Sequence, residues 1–140
     1  MVGGKKISEA EKIEVENLME EAREIFEGCV KCGMCKALCP VFKVLKEESV
    51  SARGNGIILS GKVMDKILFE CSLCKGCEEK CPVGIKVTDA VRKAREAMVL
   101  KGKGLKGNEE MVANVRKSGN PFAPKGRGDG SFDKEKLYCC

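Results

Sequence analysis

Hydrophobic residues in this chain gather into short helical stretches separated by cysteine-rich and glycine-rich segments. From Ser8 onward Ile13, Leu18, Ala22, Ile25 and Phe26 recur near helical spacing until Gly28, which predicts an amphipathic helix over residues 8–27. Ser8 and Glu11 have the spacing of a capping box, each side chain serving an orphaned N–H at the helix start. Ile57-Ile58-Leu59 and a second apolar stretch, Val63, Met64, Ile67, Leu68 and Phe69, lead into Cys71. Thr88 or Asp89 can cap a further helix through Val91, Ala94, Arg95, Met98 and Val99, ending near Gly102. Strand-like alternation of β-branched residues is scarce, so the expected fold class is all-α. Beyond Lys101 the residues Gly102, Gly104, Gly107, Gly119, Gly126, Gly128 and Gly130 break up regular structure. One short helix near 109–116 within an otherwise extended arm is expected there.

Between these stretches lie the cysteines. Eight of the ten fall into two copies of one spacing. The first is Cys29-x2-Cys32-x2-Cys35-x3-Cys39-Pro40 and the second Cys71-x2-Cys74-x2-Cys77-x3-Cys81-Pro82. This is the bacterial ferredoxin run, whose first three thiolates hold one iron–sulfur cube while the fourth ligates the other. Two runs supply eight thiolates, enough for two [4Fe-4S] clusters. On that rule Cys29, Cys32, Cys35 and Cys81 hold one cube, and Cys71, Cys74, Cys77 and Cys39 the other. Gly33 and Gly76 sit inside the loops, where a residue lacking Cβ can take positive φ and approach a cluster closely. The proline after each fourth cysteine keeps the loop from simply continuing as helix. Four-cysteine zinc sites also use Cys-x2-Cys steps, but as two pairs across a long gap with no third cysteine in step. A disulfide scaffold needs no repeated register at all.

Composition narrows the classes further. A chain of 140 residues without Trp and with one Tyr has no large aromatic core to draw on. Metal ligation supplies folding free energy to small domains of this kind. The formal charge of +5 counts every cysteine as neutral; two oxidised cubes at about −2 each leave about +1, which is no nucleic-acid charge. The lysines suit an offset of cluster charge or an acidic partner better. The absence of histidine removes Rieske ligation, histidine base catalysis and Ser-His triads together. No apolar run reaches the 18 or so residues of a transmembrane helix, and residues 1–11 hold no apolar signal core. A cytoplasmic location, where thiols stay reduced, is expected. Met34, Met64, Met98 and Met111 read as core or loop filler.

An internal repeat accompanies the motifs. Ile25-Phe26-Glu27-Gly28-Cys29 answers Leu68-Phe69-Glu70-Cys71, and Cys39-Pro40-Val41 answers Cys81-Pro82-Val83. Each unit is a helix entering a cluster loop and leaving it, and pseudo-twofold packing would carry Cys39 and Cys81 across to the opposite clusters. The expected organisation is a domain over 1–101 holding both clusters, followed by a Gly/Lys-rich arm over 102–140. Such an arm would order against a partner, with Gly119-Asn120-Pro121-Phe122 as its anchor.

With both runs and the helical spacer, the chain resembles the alpha-helical ferredoxin module of the heterodisulfide reductase family. That group includes the small iron–sulfur subunit of heterodisulfide reductase and the N-terminal part of longer family members that go on into a cysteine-rich catalytic domain. Similar modules occur in the iron–sulfur subunits of glycolate oxidase and anaerobic glycerol-3-phosphate dehydrogenase. Beyond the cysteines the resemblance rests on Ser51-x-Arg53 and on Asn114-x-Arg116-x2-Gly119-Asn120-Pro121-Phe122. It implies an electron-transfer subunit serving a cysteine-rich catalytic partner, fed by a flavin or hydrogenase-type donor, with no catalytic residue of its own. Leu137-Tyr138-Cys139-Cys140 resembles the start of the cysteine-rich domain of longer members, where this chain stops. A truncated disulfide reductase with activity of its own therefore stays open as the alternative. Cys139 and Cys140 are expected to be loose terminal thiols, the alternative being groups that ligate or exchange with a partner. Arg53, Lys75 and Lys101–Lys106 are either tuners of cluster potential or ordinary solvated positions.

Overall fold

The Ser8–Glu11 pair opens the first helix as its spacing requires. In the computed structural model, which describes residues 7–122, the Ser8 N–H donates to Glu11 Oε2 at 2.8 Å and the Glu11 N–H to Ser8 Oγ at 3.2 Å. Helix α1 runs Glu9–Ile25. Two short helices follow the first cysteines, α2 (Met34–Leu38) and α3 (Pro40–Leu45). Pro40 presses Cys39 into an extended conformation, which ends α2, and its own pre-set φ then opens α3. A 3₁₀ turn at Glu48–Val50 leads to α4 (Ala52–Ser60), and a second at Lys66–Glu70 leads to the other cysteine run. That run holds α5 (Gly76–Glu79), and α6 (Val87–Leu100) closes the bundle. No strand forms among the described residues. The all-α reading holds.

The most extensive helix–helix contact is between α1 and α6. Their buried faces are Val15, Met19, Ala22 and Phe26 on one side and Ala90, Val91, Ala94, Ala97 and Met98 on the other. The alanines at 90, 94 and 97 line one side of α6, where small side chains allow close approach. Leu59 from α4 and Leu68 complete this core, both wholly buried. Two expectations about faces are corrected here. Ile13 is 55% exposed and Val99 also faces water; the buried stripe of α1 begins one register over, at Val15. Nor does Thr88 or Asp89 cap α6, because the helix starts earlier and Lys86 stands at its N-cap without a side-chain bond.

Helix α4 forms against its own propensity, since Gly54 and Gly56 both lie inside it. Its gains come from Ser51, whose Oγ accepts the Gly54 N–H at 2.9 Å, and from burial of Ala52, Asn55 and Leu59. We expect Ser51→Ala to cost about 1 kcal/mol, the usual worth of an N-cap, visible as a lower denaturant midpoint of the loaded protein. An unchanged midpoint would show that the cap is idle.

The chain divides after Gly104 into two units. The second contains α7 (Lys106–Ser118), which is longer than the short helix expected. Gly102 and Gly119, at φ +68° and +74°, stand outside the helix, and Gly107 falls in its first turn, so the glycines bound the element without interrupting it. Asn114 Nδ2 donates to the Pro121 carbonyl at 3.2 Å, and the Phe122 N–H to Asn120 Oδ1 at 2.9 Å. Residues 1–6 and 123–140, with Cys139, Cys140 and the last three glycines named above, lie outside the described residues.

Candidate iron–sulfur centres

The two cysteine loops share one backbone pattern. Lys31 and Leu73, each between the first two cysteines of its run, have φ +55° and +54°. Gly33 and Lys75, each directly after the second cysteine, have φ +81° and +62°. Left-handed residues set between others turn successive N–H groups toward one concavity, the nest that favours anionic groups. Glycine was expected to do this at both Gly33 and Gly76. Only Gly33 does; in the second loop the left-handed position falls on Lys75, one residue earlier, and Gly76 begins α5. The repeat thus appears in dihedral angles where the residue types do not match.

The loops frame two cavities. The first is lined by Cys29, Cys32, Cys35 and Cys81, with Cys77 at its wall. The second is lined by Cys39, Cys71, Cys74 and Cys77. The last cysteine of each run therefore stands in the cavity of the other, and Cys77 touches both. Among the described residues no three His, Cys, Asp or Glu side chains converge as the ligands of one metal ion would. Thiols of a four-iron cube each bond a separate iron, so they surround a volume and need not meet at a point.

The electrostatics suit a metal-bound state. Burial, then the negative charge of Cys71, pushes the Cys77 thiol up to about 12, with Glu78 and Cys35 adding to the effect. Burial also raises Cys35, with Cys29, Cys32 and Cys81 repelling its thiolate against the pull of its own N–H. Cys71 is raised by burial and by Cys39 and Cys74, and eased by the Leu73 N–H and the Arg95 charge. Free thiolates so crowded repel one another, and bonding to iron removes that cost. The donor set fits two sulfur-ligated clusters. The Ile85 N–H donates to Cys81 Sγ at 3.3 Å, a sulfur bond of the kind that tunes such centres.

Several supporting residues were not legible as such. Arg95, on α6, donates through Nε and Nη2 to the Leu68 carbonyl at 2.9 and 2.8 Å, and through Nη2 to the Cys71 carbonyl. It clamps the entry to the second loop. A charged residue on an otherwise apolar helical face was the signal available. Arg53 plays the matching part at the first loop, donating to the Lys31 carbonyl at 3.2 Å while pairing with Glu48 at 3.0 Å. Both Arg53 and Lys75 line cavities; Lys101 does not touch either. Thr88 donates its N–H and hydroxyl to Glu78 Oε1 at 2.7 and 2.6 Å, tying α6 to α5. Burial pushes the Glu78 carboxyl up, but these bonds, with Lys86 and Lys75, outweigh it and hold the group below its usual range. No residue pattern pointed to Asn55, which lines the second cavity.

Two thiol-lined cavities in one helical bundle define a dicluster iron–sulfur protein, and comparison with known families agrees. Residues 25–85 match the 4Fe-4S dicluster domain, so the chain carries a domain that holds two [4Fe-4S] clusters. Among similar proteins, the glycolate oxidase iron-sulfur subunit of Escherichia coli K12 is 35% identical over 75 residues, covering 47% of this chain and 18% of that protein. An iron-sulfur subunit of the CoB--CoM heterodisulfide reductase of Methanopyrus kandleri is 31% identical over 114 residues, covering 76% of this chain and 57% of that one. A probable membrane-anchored ferredoxin of Chromohalobacter salexigens is 28% identical over 151 residues, covering 77% of this chain and 22% of its own length. The chain thus spans from under a fifth to somewhat over half of these relatives. No helix among the described residues is long and apolar enough to cross a membrane.

Proposed function

We propose that the chain is an electron-transfer module of an oxidoreductase complex, relaying electrons to a heterodisulfide-reductase-like or related partner. In this reading Cys29, Cys32, Cys35 and Cys81 hold one cluster and Cys71, Cys74, Cys77 and Cys39 the other. The observation that carries it is the shared wall: Cys77 lines both cavities, so two redox centres would stand side by side within one bundle. The clusters supply one-electron chemistry when bound. The chain's own residues supply thiolates, sulfur-directed N–H groups and a core that limits water.

The partner we assign is a cysteine-rich catalytic subunit, with a flavin or hydrogenase-type donor upstream, and the cytoplasm as the compartment. Support comes from the heterodisulfide reductase relatives and from an accessible side of α7, where Met111, Val112 and Val115 are each about half exposed. Anaerobic loading followed by metal and sulfide analysis tests the reading. We expect about eight irons and eight sulfides per chain, two one-electron steps in a redox titration, and no disulfide reduction without a partner. Stoichiometric zinc without iron would defeat it. Turnover of a disulfide by the isolated chain, fed by an artificial donor, would favour the truncated reductase instead.

A further inference from the structure

The side chain of Asn55 is anomalous. The residue is 1% exposed, on the inner face of α4, and its Oδ1 is buried with no hydrogen-bond partner among the described residues. A buried amide left unpaired is costly, so native structures rarely keep one unless something absent from the protein atoms completes it. Asn55 lines the second cavity beside Cys39, Cys71, Cys74 and Cys77. Of the other uncharged hydrogen-bonding side chains in that lining, Thr88 is already committed to Glu78 and Ser72 is exposed to water. The ends of a carboxamide exchange by a half-turn about its last torsion, and the hydrogen-bond network decides which end faces where. Opposite a wall of anionic sulfur, the donating Nδ2 is the end that fits.

We infer that Asn55 donates a side-chain hydrogen bond to a sulfur of the cluster in the second cavity, and thereby makes that cluster the more easily reduced of the two. The inference rests on the ligand assignment proposed above. Reduction adds a negative charge to a cluster, and a donor aimed at its sulfur stabilises that charge, which raises the potential. The side chains around the two cavities differ in the same sense, against one backbone bond, from the Ile85 N–H to Cys81 Sγ, that favours the first. Around the first cavity stand Phe26, Val30, Ile57, Val83, Ile85 and Val87, and the one arginine there is paired with Glu48. At the second loop Arg95 clamps the Leu68 and Cys71 carbonyls, and no carboxylate pairs with it among the described residues. Glu78 acts the other way beside Cys77, but its Oε1 is held by Thr88. An electron entering either centre would settle on the second.

The test uses the full chain loaded with both clusters, comparing native protein with Asn55→Leu, which keeps the branched shape of the side chain and removes the donor. The native titration should show two one-electron steps. In N55L the upper step should fall, changing its reduced-to-oxidised ratio at fixed potential by about tenfold, or about 59 mV for one electron. The lower step should stay, and iron content should match native. Movement of the lower step, or of neither, overturns the inference. Should N55L fail to load, the native protein decides. With nitrogen-15 in asparagine side chains, pulsed EPR of the reduced protein should show a nitrogen coupling, since Asn55 is the one asparagine lining either cavity. No coupling overturns the inference. Native protein that binds zinc, or a single cluster, instead defeats the electron-transfer reading itself, before Asn55 is touched.

Discussion

Replacing Cys39 by serine should empty or degrade the cluster of the second loop and leave that of the first. The sulfur of Cys39 lines the cavity of Cys71, Cys74 and Cys77, and it is close enough to Cys71 to repel its thiolate. Cys81 stands in the same relation to Cys35 across the first cavity. Loaded C39S should therefore hold about four irons in place of about eight. The surviving cluster should match, in EPR line shape and midpoint potential, the survivor in Cys74→Ser. Cys81→Ser should match Cys32→Ser in the same way. The comparison is between pairs, so it does not depend on how well serine oxygen replaces sulfur. If C39S instead pairs with C32S, each run closes on its own cube and the ligand assignment is wrong.

Gly54→Ala should be the most destabilising small substitution in the bundle. A Cβ there would fall inside the Glu48 carbonyl oxygen, and would stand 2.8 Å from the Ser49 carbonyl oxygen and 2.9 Å from its carbon. All three obstacles are backbone, so no rotamer change relieves them. The Glu48–Val50 turn must lift away from α4, and buried Val50 and the Ser51 cap move with it. Overpacking ordinarily costs about 1–3 kcal/mol, and a backbone obstacle puts this case at or above the upper end. Gly107→Ala is the control: nothing lies within 4 Å of its Cβ, and the exposed first turn of α7 should accept it with no loss. Denaturant midpoints of the loaded proteins measure both. A G54A midpoint within the error of native would show that the close approach is not a real constraint.

The parts that sequence reading located well are those written in local chemistry. The Ser8–Glu11 box works because its atoms are three residues apart and need nothing else. The helical class follows from short apolar stretches with few strand formers. Where reading failed, two local solutions were equally good. On α1 the expected stripe of Ile13, Leu18, Ala22, Ile25 and Phe26 is right at Ala22 and Phe26, with Leu18 and Ile25 partly buried beside them. Contact with α6 adds Val15 and Met19, which fit the helical spacing equally well, and leaves Ile13 in water. In the second loop, glycine marks Gly76, yet the turn takes its left-handed angle at Lys75 because the cysteine spacing, matched to Gly33 in the first loop, dictates the position. Helix α4 has the poorest local case of all: Gly56 leaves the room in which Phe26 packs, and the Ser51 cap and the burial of Ala52, Asn55 and Leu59 outweigh the poor propensity.

By itself, the sequence determined the cysteine inventory, the repeat and the iron–sulfur chemistry, and its spacing already pointed each fourth cysteine to the opposite site, because the reach of a few residues of backbone sets how thiolates are spaced. Tertiary structure alone decided that Cys77 forms a common wall, and that Asn55 and Arg95 attend the second loop and not the first. Those relations join residues up to several helices apart. They depend on how α1, α4 and α6 pack, and packing energy is spread over many side chains, none of which carries a local mark of its partner.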